Sequence, residues 1–196
     1  SFNAGKLSAS LDGRVDIAKY YNGCSQIVNA IPLSHGGCSK RPGTEFVAKA
    51  KGQCRLIPFE FSASDTMVLE FSDLAIRFYK DGDRVMTDSV NIAAITLTSG
   101  AAVSVQTSAS HGYATGDIVR FSYVNGTTEL NYKGLGTEFT ITVVDADEFT
   151  LDGTDGDNFT AYVSGGTVAS IYTLASPYAT ADLFKIQYVQ SADVIY

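Results

Sequence analysis

The chain has 196 residues, 45% of them hydrophobic and 18% charged, with a formal net charge of −7. That much apolar material fills one large or two small cores and excludes a disordered chain. Thr, Val, Ile, Tyr and Phe recur in short runs, so the expected fold class is mainly β: an antiparallel framework, an inserted small barrel or sandwich, and an N-terminal arm with a short helix.

The first segment, residues 1–47, is rich in Gly and Ser and short of apolar residues. It is expected to gain its order by lying against something else, as an arm does. Ile17, Tyr20, Tyr21, Cys24, Ile27, Val28 and Ile31 fall three to four residues apart. This spacing predicts an amphipathic helix over Val15 to Ala30, interrupted at Gly23 and stopped by Pro32. Arg14, Tyr20, Tyr21, Lys40 and Arg41 are its candidate interface residues. Lys40-Arg41-Pro42-Gly43 is a compact basic turn, but two charges give little affinity for nucleic acid at physiological salt. A subunit contact in which Arg41 pairs with a carboxylate suits it better.

From Phe46 the pattern changes to alternation. Arg55 to Phe61, Thr66 to Phe71 and Ala75 to Tyr79 read as a three-stranded meander, with Ser-Ala-Ser-Asp and Ser-Asp at the turns. Pro58 demotes the first of these to an edge strand. Lys80-Asp81-Gly82-Asp83 is a hairpin turn of the Asp-Gly type.

Charge then marks a boundary. Residues 1–89 sum to +1, whereas 90–172 hold only Arg120 and Lys133 against nine acids and sum to −7. Such a module is not built for phosphate contacts, and no sequence-specific nucleic acid is expected as a partner. Ala102 to Thr107, Ile118 to Val124, Glu138 to Val144, Glu148 to Leu151 and Gly166 to Tyr172 alternate as strands. His111-Gly112, Asn125-Gly126, Gly134 to Gly136, Asp152-Gly153 and Gly165-Gly166 punctuate them.

Ser176-Pro177 and the residues to Leu183 read as a single capped helical turn with Ser176 as N-cap. Lys185 to Val189 and Asp193 to Tyr196 then resume strand character. The chain ends in an apolar run, so a larger protein is expected to continue past Tyr196, and Ser1 to follow a removed or missing start. The division is a 1–47 arm, a framework of 48–89 plus 173–196, and an inserted acidic domain over 90–172.

Candidate chemistry is sparse. Cys24, Cys38 and Cys54 are too widely spaced for CxxC, and His35 and His111 lie in Gly-containing turns rather than at ligand spacing. His111 with Asp117 reads as two turn sequences at the start of a strand, not as a catalytic pair. Asp152, Asp155 and Asp157 form a weak calcium candidate, but their spacing does not match an EF-hand and a solvated turn is favoured. No cofactor, no catalytic residue and no enzyme activity are expected. No apolar run approaches the roughly 18 residues of a membrane helix, and no signal-peptide pattern opens the chain.

Two resemblances add to this reading. SFNAGKLSASLDGRVDIAKYYNGC, with KRPGTEFVAKAK and the later LIPFEFS and IRFYKDG, resembles a family of phage tail proteins encoded near the head and tail-tube genes, some related to the tubular or nozzle proteins of short-tailed phages. The acidic module, through SHGYATGDIVRFS, the ELN at Glu129 to Asn131, FTITVVDADEFTLDG and SGGTVA, is similar to the first catalytic cysteine half-domain of ubiquitin-activating enzymes. The first resemblance implies a virion or prophage structural protein at the tail tube, nozzle or head-to-tail junction, assembled in the bacterial host cytoplasm. Its implied partners are other tail subunits in a homo-oligomeric ring and other head-tail proteins. The second implies a β fold without thioester chemistry, because 90–172 contain no cysteine. The alternative function is an exposed β module that contacts a host-surface glycan, with Tyr113, Tyr123, Tyr132 and Tyr162 as the available flat faces.

Overall fold

A computed structural model of the chain describes residues 2–62, 65–133 and 137–196. Ser1, residues 63 and 64 of the Ser-Ala-Ser-Asp turn, and the Gly134 to Gly136 punctuation lie outside the described residues. The chain divides into two compact units, Ser1–Phe46 and Val47–Tyr196.

In the first unit, strand β1 (Gly5–Lys6) runs parallel to β2 (Gly23–Cys24). Strand β3 (Ala30–Pro32) pairs antiparallel with β4 (Cys38–Lys40). The helix expected over Val15 to Ala30 is absent. Short 3-10 turns at Ala9–Leu11 and Tyr20–Asn22 stand in this unit instead. Gly23 explains the difference. Its backbone is extended, at φ −110° and ψ 176°, to pair with Gly5. A Cβ there would lie 2.4 Å from the Leu7 side chain, so the chain leaves helical geometry where the apolar stripe would have continued.

The second unit opens with a meander of β5 (Arg55–Ser62), β6 (Asp65–Ser72) and β7 (Ala75–Lys80), followed by the short β8 (Asp83–Arg84). Asp81 and Gly82 join β7 to β8 with φ of 53° and 82°, the paired left-handed conformations of a type I′ hairpin. Strand β5 is at the sheet edge, as Pro58 requires. The Glu60 N–H, of the same parity as Pro58, points away from β6 and donates to Gln190 Oε1 at 3.2 Å. Gln190 Nε2 in turn donates to the Glu60 carbonyl at 2.6 Å, so one side-chain amide closes the open edge as a strand would.

The acidic sequence between β8 and the last strand of this sheet forms a closed antiparallel barrel, in the order β10-β13-β12-β11-β14-β9. Its strands are β9 (Val90–Thr96), β10 (Ser104–Thr107), β11 (Ile118–Ser122), β12 (Phe139–Val143), β13 (Glu148–Leu151) and β14 (Thr167–Ser170). Val105, Val119, Phe121, Ile141, Phe149, Leu151 and Val168 fill its interior. Each such side chain contributes about 1.5–3 kcal/mol by leaving water. A bulge shifts the register so that Gln106 faces Ala94 while Thr107 faces Ile92. The extra residue lets Ile92 and Ile95, three apart rather than two, both point inward.

After the barrel, β15 (Thr173–Ala175) returns to pair with β7. Ser176 does cap a backbone N–H, that of Tyr178, but the 3-10 turn begins four residues later, at Thr180–Asp182. Lys185 to Val189 is not a strand. Leu183 and Ile186 instead pack onto the meander core of Ile57, Leu69 and Phe71, and Arg55 holds the carbonyls of both. A small hairpin of β16 (Gln190–Ser191) and β17 (Val194–Ile195) ends the described chain. Among the described residues no helix is long and apolar enough to cross a membrane.

Candidate functional site

Between residues 2 and 46 no described side chain is buried, although the backbone is held by turns and two small sheets. Phe2, Val15, Tyr21, Val28, Ile31 and Phe46 are all exposed. An apolar cavity of about 260 Å³ opens within this unit, lined by Phe2, Cys24, Gln26, Ile27, Val28, Ala30 and Cys38. Ile27 and Val28, which in the sequence look like a helical stripe, are brought to this hollow by the irregular segment between β2 and β3.

The five candidate interface residues fall into two places. Arg14 forks onto Asp16 at 2.8 and 2.7 Å, and this pairing lowers the Asp16 carboxyl below its usual range. Tyr20 accepts the Gly13 N–H at 3.2 Å and meets Tyr21 edge to face at 5.6 Å, so Arg14, Tyr20 and Tyr21 share one set of turns. Lys40 ends β4, and the Arg41 N–H donates to the Asn29 carbonyl at 2.9 Å. Among the described residues no hydrogen bond or ion pair joins the two groups, and Arg41 has no carboxylate partner.

In the barrel the calcium candidate serves as loop scaffolding. Asp152 accepts the Thr142 hydroxyl at 2.8 Å. Asp155 accepts the Gly100 N–H at 3.0 Å, and Asp157 accepts the Ser99 hydroxyl at 2.7 Å. Each carboxylate is engaged with a different partner, and no metal-holding group of His, Cys, Asp and Glu occurs among the described residues. His111 accepts the Tyr113 N–H at its Nδ1 and stacks on that ring at 4.8 Å. Asp117 accepts the Ala114 N–H at 2.9 Å, so both residues hold turns and do not face each other as a catalytic pair.

The tyrosines offered as sugar platforms are mostly committed. Tyr113 donates to the Val168 carbonyl, and burial pushes its hydroxyl up to about 12. Tyr162 bonds the Gly165 carbonyl at 3.0 Å, and the Tyr132 ring lies 3.9 Å under the Arg120 guanidinium. Tyr123 alone of the four is displayed, at 88% exposure and with φ 61°.

Sequence reasoning did not find the polar joint between barrel and meander. Arg120 of β11 pairs with Asp83 at 2.8 Å and with Glu138 at 2.8 Å. Arg84 of β8 reaches the same Glu138 at 3.0 Å and also donates to the Lys49 carbonyl. Glu70 is buried beside this joint and accepts the Lys51 N–H and the Tyr79 hydroxyl. Burial first, and then Glu70, push the Tyr79 hydroxyl above its usual range. The available signal was that Arg120 stands within the short, otherwise largely apolar run Ile118 to Ser122.

Residues 98–171 match the family model of the ubiquitin-activating enzyme E1 FCCH domain. The match covers less than half of the chain and begins after β9, within the loop that leads to β10. With no cysteine among these residues, the domain has no thiol with which to form a thioester. No curated protein matches the chain.

Proposed function

We propose that the chain is a structural component of a bacteriophage tail, at the tube, nozzle or head-to-tail junction, that works through subunit interfaces rather than chemistry. The observation that carries this reading is the first unit, which buries no described side chain and leaves Phe2, Val15, Tyr21, Val28, Ile31 and Phe46 exposed. Exposed apolar surface of this kind is the usual mark of a surface that meets a partner. The residues that resemble phage tail proteins lie in the same segment and in the meander that follows. The partners are other copies in a closed ring, together with neighbouring head-tail proteins, and the place is the virion tail after assembly in the host cytoplasm. The E1 FCCH barrel acts in this setting as a rigid inserted domain.

Electron microscopy of the full-length protein, with mass spectrometry of purified virions, tests the proposal. Rings and presence in the particle are expected, whereas a monomer absent from virions would remove it. Hydrogen exchange gives a second measure, since residues 2–46 should be less protected in the isolated chain than in the assembled particle. Tyr123 is the observation that favours the alternative, an exposed β module for host glycans. A glycan array on the full chain and on Tyr123→Ala examines it, and binding lost in the variant would support it.

A further inference from the structure

The second unit buries three arginines, Arg77, Arg84 and Arg120, and the fold treats them unequally. Arg84 and Arg120 divide Glu138, Asp83 and a backbone carbonyl between them. The Arg77 side chain, 7% exposed, makes no hydrogen bond and no ion pair among the described residues, and its Nε is enclosed without a partner. Glu70 stands directly opposite it on β6 and accepts the Lys51 N–H and the Tyr79 hydroxyl, but it forms no hydrogen bond or ion pair with Arg77. On its other side Arg77 faces Thr173 of β15. A guanidinium stays charged at any ordinary pH, and a buried charge without a hydrogen-bonded partner is costly even with a carboxylate nearby.

The place of Arg77 in the sheet limits what can compensate it. β15 is the end strand of the sheet and all three of its residues are exposed, so Arg77 lies one strand in from an open edge. Its terminal nitrogens are not among the enclosed unpaired atoms, so the tip of the fork keeps some contact with solvent. Two parallel N–H groups at such a tip match the two oxygens of a carboxylate. Beside Glu70, a singly charged planar anion fits better than a doubly charged phosphate.

We propose that Arg77 is a carboxylate-receiving site, filled by an acidic side chain of a second copy of this chain that docks along the β15 edge. The inference rests on the subunit-assembly reading above and names a residue for it. Charge complementarity supplies the occupant, because residues 90–172 of every copy carry nine acids against two bases.

The test uses the full chain and Arg77→Met, which keeps the length of the stem and removes the charge. Sedimentation equilibrium should show the variant associating at least about tenfold more weakly than the wild type. The isolated variant, with circular dichroism unchanged, should unfold at a higher denaturant midpoint, because an unpaired buried charge has gone. A lower midpoint would mean that Arg77 is already satisfied within one chain, and would overturn the proposal. So would unchanged association in a folded variant, which would leave the assembly reading intact. A wild type that stays monomeric would overturn both. Sodium acetate, titrated against sodium chloride at constant ionic strength, distinguishes a free carboxylate as the source. Acetate should weaken wild-type association by competing for the site, while an acetate-dependent rise in stability with association unaffected would overturn the neighbouring copy as the occupant.

Discussion

Glu138 and Arg84 stand 54 positions apart in the chain, yet the Glu138 carboxylate accepts the Arg84 guanidinium at 3.0 Å, where the arginine side chain is only 1% exposed. Because Glu138 also holds Arg120, a single carboxylate ties the β7-β8 hairpin of the meander to strand β11 and the β12 end of the barrel. Replacing it by glutamine leaves Arg84 without a carboxylate and Arg120 with Asp83 alone. Glu138→Gln should destabilise the chain by about 3 kcal/mol, the scale for removing one partner of a buried pair. Urea unfolding measures this, and a loss near zero would mean that packing alone sets the joint.

Tyr113 makes stability depend on pH at the alkaline end. Burial raises its folded value from 10.0 to about 12, with the Thr87 hydroxyl partly opposing. The folded chain therefore keeps this proton to higher pH than the unfolded chain does. Its stabilising contribution is complete below pH 10 and falls away as the pH climbs towards about 12. In Tyr113→Phe the decline over this window should be shallower, as followed by thermal melts at stepped pH.

Gly156 marks a close crossing of two backbones in the barrel. A Cβ at this position would sit 2.6 Å from both the N and the O of Thr98, atoms that cannot swing aside. Gly156→Ala should lower stability by about 2 kcal/mol, whereas Gly52→Ala, which meets nothing within 4 Å, should stay within about 0.5 kcal/mol of the wild type. Equal melting temperatures for the two variants would contradict the crossing.

Tyr123 holds an exposed ring on a left-handed backbone, φ 61°, which a tyrosine adopts at a cost. Asparagine tolerates this conformation, so Tyr123→Asn should raise stability by about 1 kcal/mol. Chemical denaturation decides the matter, and a fall in stability would show that the ring contributes contacts within the chain. A stabilised variant is the result expected where a surface residue is kept for binding rather than for folding.

Local pattern was enough for much of the β structure. The meander strands, the Asp-Gly hairpin at Asp81-Gly82 and the edge position of Pro58 were legible because alternation, turn chemistry and a missing N–H act over a few residues. The five alternating runs of the acidic module could be read for the same reason. Strand β9 could not, because the bulge opposite Thr107 places Ile92 and Ile95 on one face at a spacing that alternation does not recognise. The helix expected over Val15 to Ala30 failed because its three-to-four spacing is also produced by successive turns, and the pairing of Gly23 with Gly5 overrode it.

By itself the sequence determined the fold class, the order of most strands and the concentration of acid between residues 90 and 172, all of which depend on near neighbours in the chain. Only the tertiary structure decided that six strands close into a barrel, that Glu138 serves two arginines and that Arg77 has no acceptor among the described residues. Closure and charge pairing join residues tens of positions apart. The free energy of a buried charge depends on what surrounds it in space, which no local pattern encodes.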